Sequence, residues 1–181
     1  ADDGLVVENS GTITLTDVIA TGKSGSGAIL DNSCGCVTTN IFISSSSFDL
    51  NGTSEYDRGL IAHSNGDIAL ANVSASGNSG GGAELINCFF DFYDFTGCFN
   101  TNPATITITG TNIFNNNGYI PPQFLGSGPY GSVGLWAGSN NGVSISGVTA
   151  QNNGAGDIGG GALLFTQAGN LFVTNSNFNE N

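Results

Sequence analysis

A short segment with alternating apolar residues recurs six times along the 181-residue chain, and this repetition restricts the fold more than any other feature of the sequence. The leading apolar residues of the six copies are Ile13, Ile41, Ile68, Ile106, Val143 and Leu171. A second segment follows each of the first five and begins with a glycine, at Gly27, Gly59, Gly82, Gly134 and Gly161. For the last repeat the matching glycine is Gly4, at the N-terminus. The pattern therefore predicts that the N-terminal residues of another copy complete the sixth repeat.

The alternation within each segment indicates β-strands. Small polar residues separate the apolar residues Ile13, Leu15, Val18 and Ala20, as in a strand with one buried face. No stretch has helical spacing, and Gly, Asn, Ser and Thr are too frequent for long helices. Repeats of this length without helices are typical of solenoids, in which successive strands run parallel and crossovers are right-handed. We therefore predict an all-β fold, a right-handed parallel β-helix solenoid of six coils.

An asparagine recurs at one position of the repeat. The predicted ladder residues are Asn51, Asn78, Asn116, Asn153 and Asn181, with Lys23 at the equivalent position of the first repeat. Asparagine tolerates the left-handed backbone of a tight corner, and stacked amides can hydrogen-bond along a parallel stack. We therefore expect these side chains to form a ladder.

Interior side chains alternate in size from one repeat to the next. The predicted interior pairs are Val18/Ala20, Ser46/Phe48, Val73/Ala75, Thr111/Ile113, Val148/Ala150 and Ser176/Phe178. A large side chain above a small one fills a core without voids or clashes. The core is therefore predicted to repeat every two coils.

We predict a single β-helix domain, residues 1–181, with insertions at 84–104 and 117–133. Disulfides in an oxidising compartment are expected from the four cysteines, which are Cys34, Cys36, Cys88 and Cys98. The pairing stays open between a bond that joins the two loops and a bond from Cys88 to Cys98. Zinc is the rival interpretation, but the usual Cys-x-x-Cys pairs are absent from the sequence.

The charge of the chain excludes several classes of partner. Fourteen acidic and two basic residues give a net charge of −12, whereas binding to nucleic acid or anionic lipid requires basic patches. No apolar run has the length of a membrane span, and no signal peptide is present, so the chain is expected to be a processed or excised segment. We predict an extracellular or cell-surface location.

The segment Gly66–Ala83, Gly-Asp-Ile-Ala-Leu-Ala-Asn-Val-Ser-Ala-Ser-Gly-Asn-Ser-Gly-Gly-Gly-Ala, resembles the tandem repeats of large bacterial surface proteins built as right-handed β-helices. The resemblance covers nearly all of the chain outside the two long loops. It implies an extracellular role that is adhesive or structural. The same superfold also includes pectate lyases and polygalacturonases, so catalysis has to be judged from individual residues.

The basic residues do not predict an active site. Arg58 stands beside Glu55 and Asp57 in the sequence, which indicates a surface ion pair, and His63 reads as a strand-end histidine. The Asn-Thr-Asp and Gly-His-Gly motifs of polygalacturonases are absent from the sequence. We expect no enzyme activity and no cofactor. Structural calcium is an alternative at one corner, where the acidic residues are Asp2, Asp3, Glu55 and Asp57.

Two rival functions stay open, a carbohydrate-binding adhesin segment and a degenerate polysaccharide lyase, whereas the residues do not support ice binding. Ice binding would need one small hydroxyl residue in register on every coil. Thr14 and Thr107 fit such a column, but Phe42 and Phe172 occupy the same position in other repeats and interrupt it. A glycan is the alternative partner, because Trp136 with Tyr119 and Tyr130 would provide stacking surfaces for a carbohydrate-binding adhesin.

We predict a structural protomer or repeat unit of a fibre, in which identical copies stack head to tail into a continuous β-helix. Neither end of the repeat array has a capping helix, and heterologous contacts that do not close form filaments. The predicted junction residues are Ala1, Asp2, Gly4, Lys23, Phe178, Glu180 and Asn181. Lys23 is expected to stack over Asn181 of the preceding copy, between carboxylates that include Glu180 and, within its own chain, Glu55.

Overall fold

Fourteen β-strands form the computed structural model, which describes residues 2–33, 38–88, 103–118, 133–154 and 160–181. The strands are β1 (Leu5–Glu8), β2 (Ile13–Thr16), β3 (Ala28–Asp31), β4 (Ile41–Ser47), β5 (Arg58–His63), β6 (Ile68–Ser74), β7 (Gly81–Ile86), β8 (Thr105–Thr109), β9 (Asn112–Ile113), β10 (Val133–Ser139), β11 (Gly142–Ser146), β12 (Val148–Thr149), β13 (Gly160–Thr166) and β14 (Leu171–Thr174). No helix occurs within these ranges. Strand β7 extends to Ile86, inside the insertion predicted at 84–104.

The strands belong to two sheets, between which the chain alternates. The first sheet has the order β1-β3-β5-β7-β10-β13, and the remaining eight strands form the second sheet. Every strand pairing is parallel. The predicted all-β class with parallel strands is therefore confirmed. We call one strand of the first sheet, with the strands of the second sheet that follow it, a layer.

Equivalent residues of successive layers lie directly above one another. The leading apolar residues form one such column, in the order Ile13, Ile41, Ile68, Ile106, Val143 and Leu171. Leucines of the first sheet, among them Leu30 and Leu60, face this column and are fully buried. Burial of one such side chain stabilises the fold by about 1.5–3 kcal/mol. The core therefore runs as a continuous stack between the two sheets.

Left-handed backbone marks two bends in each layer. The first column of residues with φ between 48° and 77° is Asp17, Ser45, Asn72, Gly110, Gly147 and Asn175. The second column, with φ between 52° and 68°, is Gly22, Leu50, Gly77, Asn116, Asn152 and Glu180. These bends end the straight segments of the second sheet, so each layer turns at the same two places.

The asparagine ladder contains Asn117 rather than the predicted Asn116. Ile68 pairs with Ile106, but Ser74 pairs with Ile113, one residue further along than the same offset gives. The extra residue is Thr111, and it shifts the rest of that layer by one position. Asn116 consequently occupies the left-handed corner and is exposed, whereas Asn117 is 1% exposed.

Hydrogen bonds along the ladder satisfy buried backbone amides. The backbone N–H of Asn51 donates to Asn78 Oδ1 (2.9 Å), and the backbone N–H of Asn78 donates to Asn117 Oδ1 (3.0 Å). Asn153 and Asn181 continue the same pattern at 3.1 and 2.9 Å. A glycine lies beside each ladder side chain. At Gly59, for example, a Cβ would stand only 2.5 Å from Asn78 Nδ2, so a larger residue would overlap the asparagine. The ladder therefore requires a glycine at each of these positions.

The interior pairs repeat every two layers, with one correction. Asn112 and Phe114 are fully buried and replace the predicted Thr111 and Ile113, which are exposed. The observed pairs are Val18/Ala20, Ser46/Phe48, Val73/Ala75, Asn112/Phe114, Val148/Ala150 and Ser176/Phe178. In every second layer the polar residue of the pair accepts a hydrogen bond from the backbone N–H of the valine in the layer before it. The acceptors are Ser46, Asn112 and Ser176, at 3.1, 3.0 and 3.2 Å. The two-layer period therefore has a hydrogen-bonding basis as well as a packing basis.

Replacing Asn117 with alanine should lower the free energy of unfolding by about 2–5 kcal/mol, because both the backbone amide and the side-chain amide of Asn78 lose their acceptor while buried. Chemical denaturation measures this change. Asn116→Gly is the matched control, since glycine fits the left-handed corner, and it should change the free energy by less than about 0.5 kcal/mol. A larger loss for the control than for Asn117→Ala would contradict the corrected register.

Candidate functional site

The two ends of the strand stack are the first candidate site. Within the part of the chain that the structure describes, β1 pairs with β3 alone and β13 with β10 alone. In the second sheet, β2 and β14 likewise have one neighbour each. Each end therefore presents two strand edges whose backbone groups can pair with further strands.

Core side chains are exposed at these ends. Leu171 and Val173 of β14 are 43% and 42% exposed, whereas Val143 and Ile145, one layer below them, are each 1% exposed. The partly buried members of the core all lie in the first and last layers, and they are Leu5, Val7, Leu15, Val18, Ala162, Leu164 and Phe178. Both ends therefore leave apolar surface in water that the interior layers bury.

The two ends carry successive members of the two-layer period. The last layer has the interior pair Ser176 and Phe178, and the first layer has the pair Val18 and Ala20. Inside the stack, a layer of the serine–phenylalanine type is followed by one of the valine–alanine type. The last layer of one copy therefore has the interior volumes that would precede the first layer of another.

The predicted junction residues fall at both ends. Gly4 lies beside Gly27 and Lys23 in the first layer, while Phe178, Glu180 and Asn181 close the last layer. Ala1 lies outside the described residues. Within the described ranges Lys23 forms no ion pair with Glu55, because the two ion pairs found there both belong to Glu84, and the contacts of Lys23 across a junction stay a prediction.

A buried ionic cluster on the outer side of the first sheet is the second candidate. The Glu84 carboxylate contacts Arg58 Nε at 2.7 Å and His63 Nε2 at 2.8 Å. The Arg58 guanidinium also lies 5.4 Å above the centre of the Trp136 ring. Arg58 and Glu84 are each 7% exposed. The predicted surface pair of Arg58 with Glu55 or Asp57 is therefore wrong, and the partner comes from the next strand of the sheet.

Register explains how this cluster forms. Ile61, Glu84 and Trp136 occupy one outward column of three adjacent strands, and Arg58 and His63 flank Ile61 on β5. Gly81 leaves room for the guanidinium, since a Cβ there would overlap Arg58 Nη1. Glu84 escaped the sequence analysis because its partners are distant along the chain and only the strand register brings them together.

The cluster fixes the charge of Glu84. Burial raises the pKa of Glu84, but the hydrogen bond with His63 and the positive charge of Arg58 outweigh it, so the pKa lies below its usual value. The carboxylate therefore stays ionised and holds the arginine in place.

The remaining predicted groups are not assembled into a site. Asp3 Oδ1 accepts a bond from the Ser26 amide (2.7 Å), and Asp57 Oδ2 accepts from the Thr53 and Ser54 amides (2.9 and 2.8 Å). Across the described ranges, no three acidic, histidine or cysteine side chains are grouped closely enough to hold a metal, so the calcium corner is not formed there.

The structure also does not present Trp136 as the predicted surface for glycan stacking. Trp136 is only 2% exposed, while Tyr119 and Tyr130 lie outside the described residues. Cys88 is 8% exposed, in a cluster with Ile86, Trp136 and Phe165. Cys34, Cys36 and Cys98 lie outside the described ranges, so the cysteine pairing stays a prediction.

Glu84→Gln should lower the free energy of unfolding at neutral pH by about 3–5 kcal/mol, because it leaves Arg58 buried without a counter-ion. The pKa of Glu84 is lower in the folded than in the unfolded state. The stabilisation that its carboxylate provides is therefore complete above the unfolded-state pKa and disappears as the pH falls through the folded-state pKa. Denaturation of both proteins from neutral to acidic pH should show the difference shrink. The double variant Arg58→Met/Glu84→Leu is the control and should lose much less; equal losses would exclude a charge effect.

Searches against protein-family models, curated proteins and solved structures found no match for this chain. Among the described residues there is also no helix that could cross a membrane. A proposal of function therefore depends on the geometry of the chain itself, and the open ends are its most distinctive feature.

Proposed function

We propose that this chain is a structural protomer or repeat unit of an extracellular or cell-surface filament, a right-handed parallel β-helix of six coils per copy that continues from one copy to the next. The observation that carries the proposal is the pair of open ends, which expose core side chains and unpaired strand edges. A continuous stack would bury both. Heterologous contacts of this kind do not close, and they generate filaments.

The strand register predicts the contacts across such a junction. Continuing the first sheet places Leu164 below Val7 of the next copy, since Leu164 and Val7 are the inward residues at equivalent positions of β13 and β1. In the second sheet, Val173 would lie below Leu15 in the same way. Phe178 would lie below Ala20, as Phe48 lies next to Ala75 inside the stack.

Lys23 supports the same arrangement. Its backbone amide donates to Asn51 Oδ1 (3.0 Å), so it occupies the first position of the ladder, and its side chain is exposed at the end of the stack. In a continuous filament it would lie above Asn181 and close to Glu180 of the preceding copy. Because each copy carries a net charge of −12, a basic residue at this point would reduce the repulsion between copies, although an exposed pair contributes only about 0–1 kcal/mol.

A structural role is favoured over catalysis and over glycan binding. A lyase of this architecture would need an accessible arginine beside its carboxylates, and the one arginine of the sequence, Arg58, is held by Glu84 in a buried ion pair. The glycan platform expected at Trp136 would need an accessible ring face, and Trp136 is 2% exposed and lies beneath Arg58.

Blocking one end at a time tests the proposal. Val7→Asp should stop assembly at the first layer and Leu164→Asp at the last, because each puts a carboxylate into the apolar junction. In sedimentation velocity, each variant alone should match the doubly blocked chain Val7→Asp/Leu164→Asp, which has no end left to join. An equimolar mixture should add one end-to-end contact and nothing longer, since each variant keeps one intact end and the two intact ends are complementary.

Ile113→Asp is the matched control, because Ile113 is 38% exposed on the outer surface in the middle of the stack, and it should assemble like the unmodified chain. A dimer that Leu164→Asp forms and Val7→Asp/Leu164→Asp does not would indicate a symmetric contact between first layers. Assembly of both variants without change would remove the ends from the interface.

The filament should have an axial rise of about 29 Å per copy, from six strand spacings of about 4.8 Å each. Helical reconstruction from electron micrographs of the assembled material measures this rise. A value that differs by a whole strand spacing would mean that the junction skips or inserts a layer.

A further inference from the structure

The outward side of the second sheet has two columns of small or aromatic residues. The first column is Thr14, Phe42, Ala69, Thr107, Ser144 and Phe172. The second column is Thr16, Ser44, Ala71, Thr109, Ser146 and Thr174. We call the surface formed by these two columns the threonine face. Phe42 and Phe172 protrude from it and are 40% and 57% exposed.

No residue of the threonine face carries a charge, although the chain has a net charge of −12. The exposed acidic residues Asp2, Glu8 and Glu180 lie elsewhere on the described surface, and like charges repel at separations below about 8 Å at physiological salt. The threonine face avoids this repulsion. An identical copy is therefore a suitable occupant for this surface.

The shape of the face is also self-complementary. Beside Phe42 lies a groove of about 190 Å³ above Ala69, bounded on its other side by Thr107. Beside Phe172 lies a groove of about 370 Å³ at Ser144. Each protruding ring therefore has an adjacent depression formed by a smaller residue of the same column.

A two-fold axis that lies between the two faces and runs parallel to the strands reverses the order of layers in the opposite copy. When Phe42 of one copy faces Ala69 of the other, the symmetry places the second Phe42 over the first Ala69 as well, and Thr14 opposite Thr107. The two rings thus enter two equivalent grooves, which is the isologous contact typical of symmetric pairs.

We propose that the threonine face is a lateral interface between two copies of this chain, with Phe42 of each copy in the groove above Ala69 of the other. This contact does not depend on the junction at the open ends. If both form, filaments associate side by side. If the ends do not join, single copies still pair through this face.

The test uses the full chain with both ends blocked, Val7→Asp/Leu164→Asp, so that any dimer is lateral. Sedimentation equilibrium should show a monomer–dimer equilibrium that strengthens with ionic strength, because salt screens the acidic surfaces. Phe42→Ser should raise the dissociation constant by about tenfold or more. Ile113→Ser, at almost the same exposure on another surface, should leave it unchanged.

A benzophenone amino acid at position 42 identifies the contact. With an isotope-labelled second copy, the cross-link should map to the segment around Ala69 of that copy. A blocked chain that stays monomeric at all salt concentrations, or a dimer that Phe42→Ser does not weaken, would overturn the proposal. Binding of the monomer to insoluble cellulose or chitin that is lost in Phe42→Ser would overturn it in favour of a polysaccharide surface. Loss of elongation without loss of pairing would contradict only the filament proposal.

Discussion

The hydrogen bond from a corner amide to the asparagine side chain of the next layer is the interaction on which the rest of the structure depends. A buried backbone N–H without a hydrogen-bond partner destabilises the fold. Here the N–H of each ladder residue has its asparagine acceptor only if the next layer lies directly above it. The contact also excludes a Cβ at the neighbouring position, so Gly59 accompanies Asn78. Once the corners are fixed, strand register, core columns and outward columns all follow.

Sequence alternation predicted this register wherever successive layers have the same length between strand and corner. It failed at Thr111, for a physical reason. Thr111/Ile113 and Asn112/Phe114 both alternate between polar and apolar residues, so the pattern fits either choice. Burial of Phe114 and the bond from Val73 to Asn112 decide between them in the structure. The corrected assignment makes the two-layer period more regular than the predicted one.

The positions of the outermost strands could be predicted from sequence because the six repeats are visible in the pattern itself. The ionic cluster could not. Arg58 has acidic neighbours in the sequence, but Asp57 is occupied by the amides of its own turn, and Glu84 approaches from the adjacent strand. Side chains that meet across strands are set by the register and by long loops, neither of which has a local sequence signal.

The two-layer period restricts how a chain of this kind can change its length. Phe48 lies between Ala20 and Ala75, so removal of a single layer would bring two phenylalanine layers, or two alanine layers, into direct contact. The first case overfills the core and the second leaves a cavity, and each destabilises the stack. Duplications and deletions that preserve packing must therefore involve an even number of layers. The unit that such a chain can gain or lose is therefore a pair of layers, although the sequence repeat corresponds to a single layer.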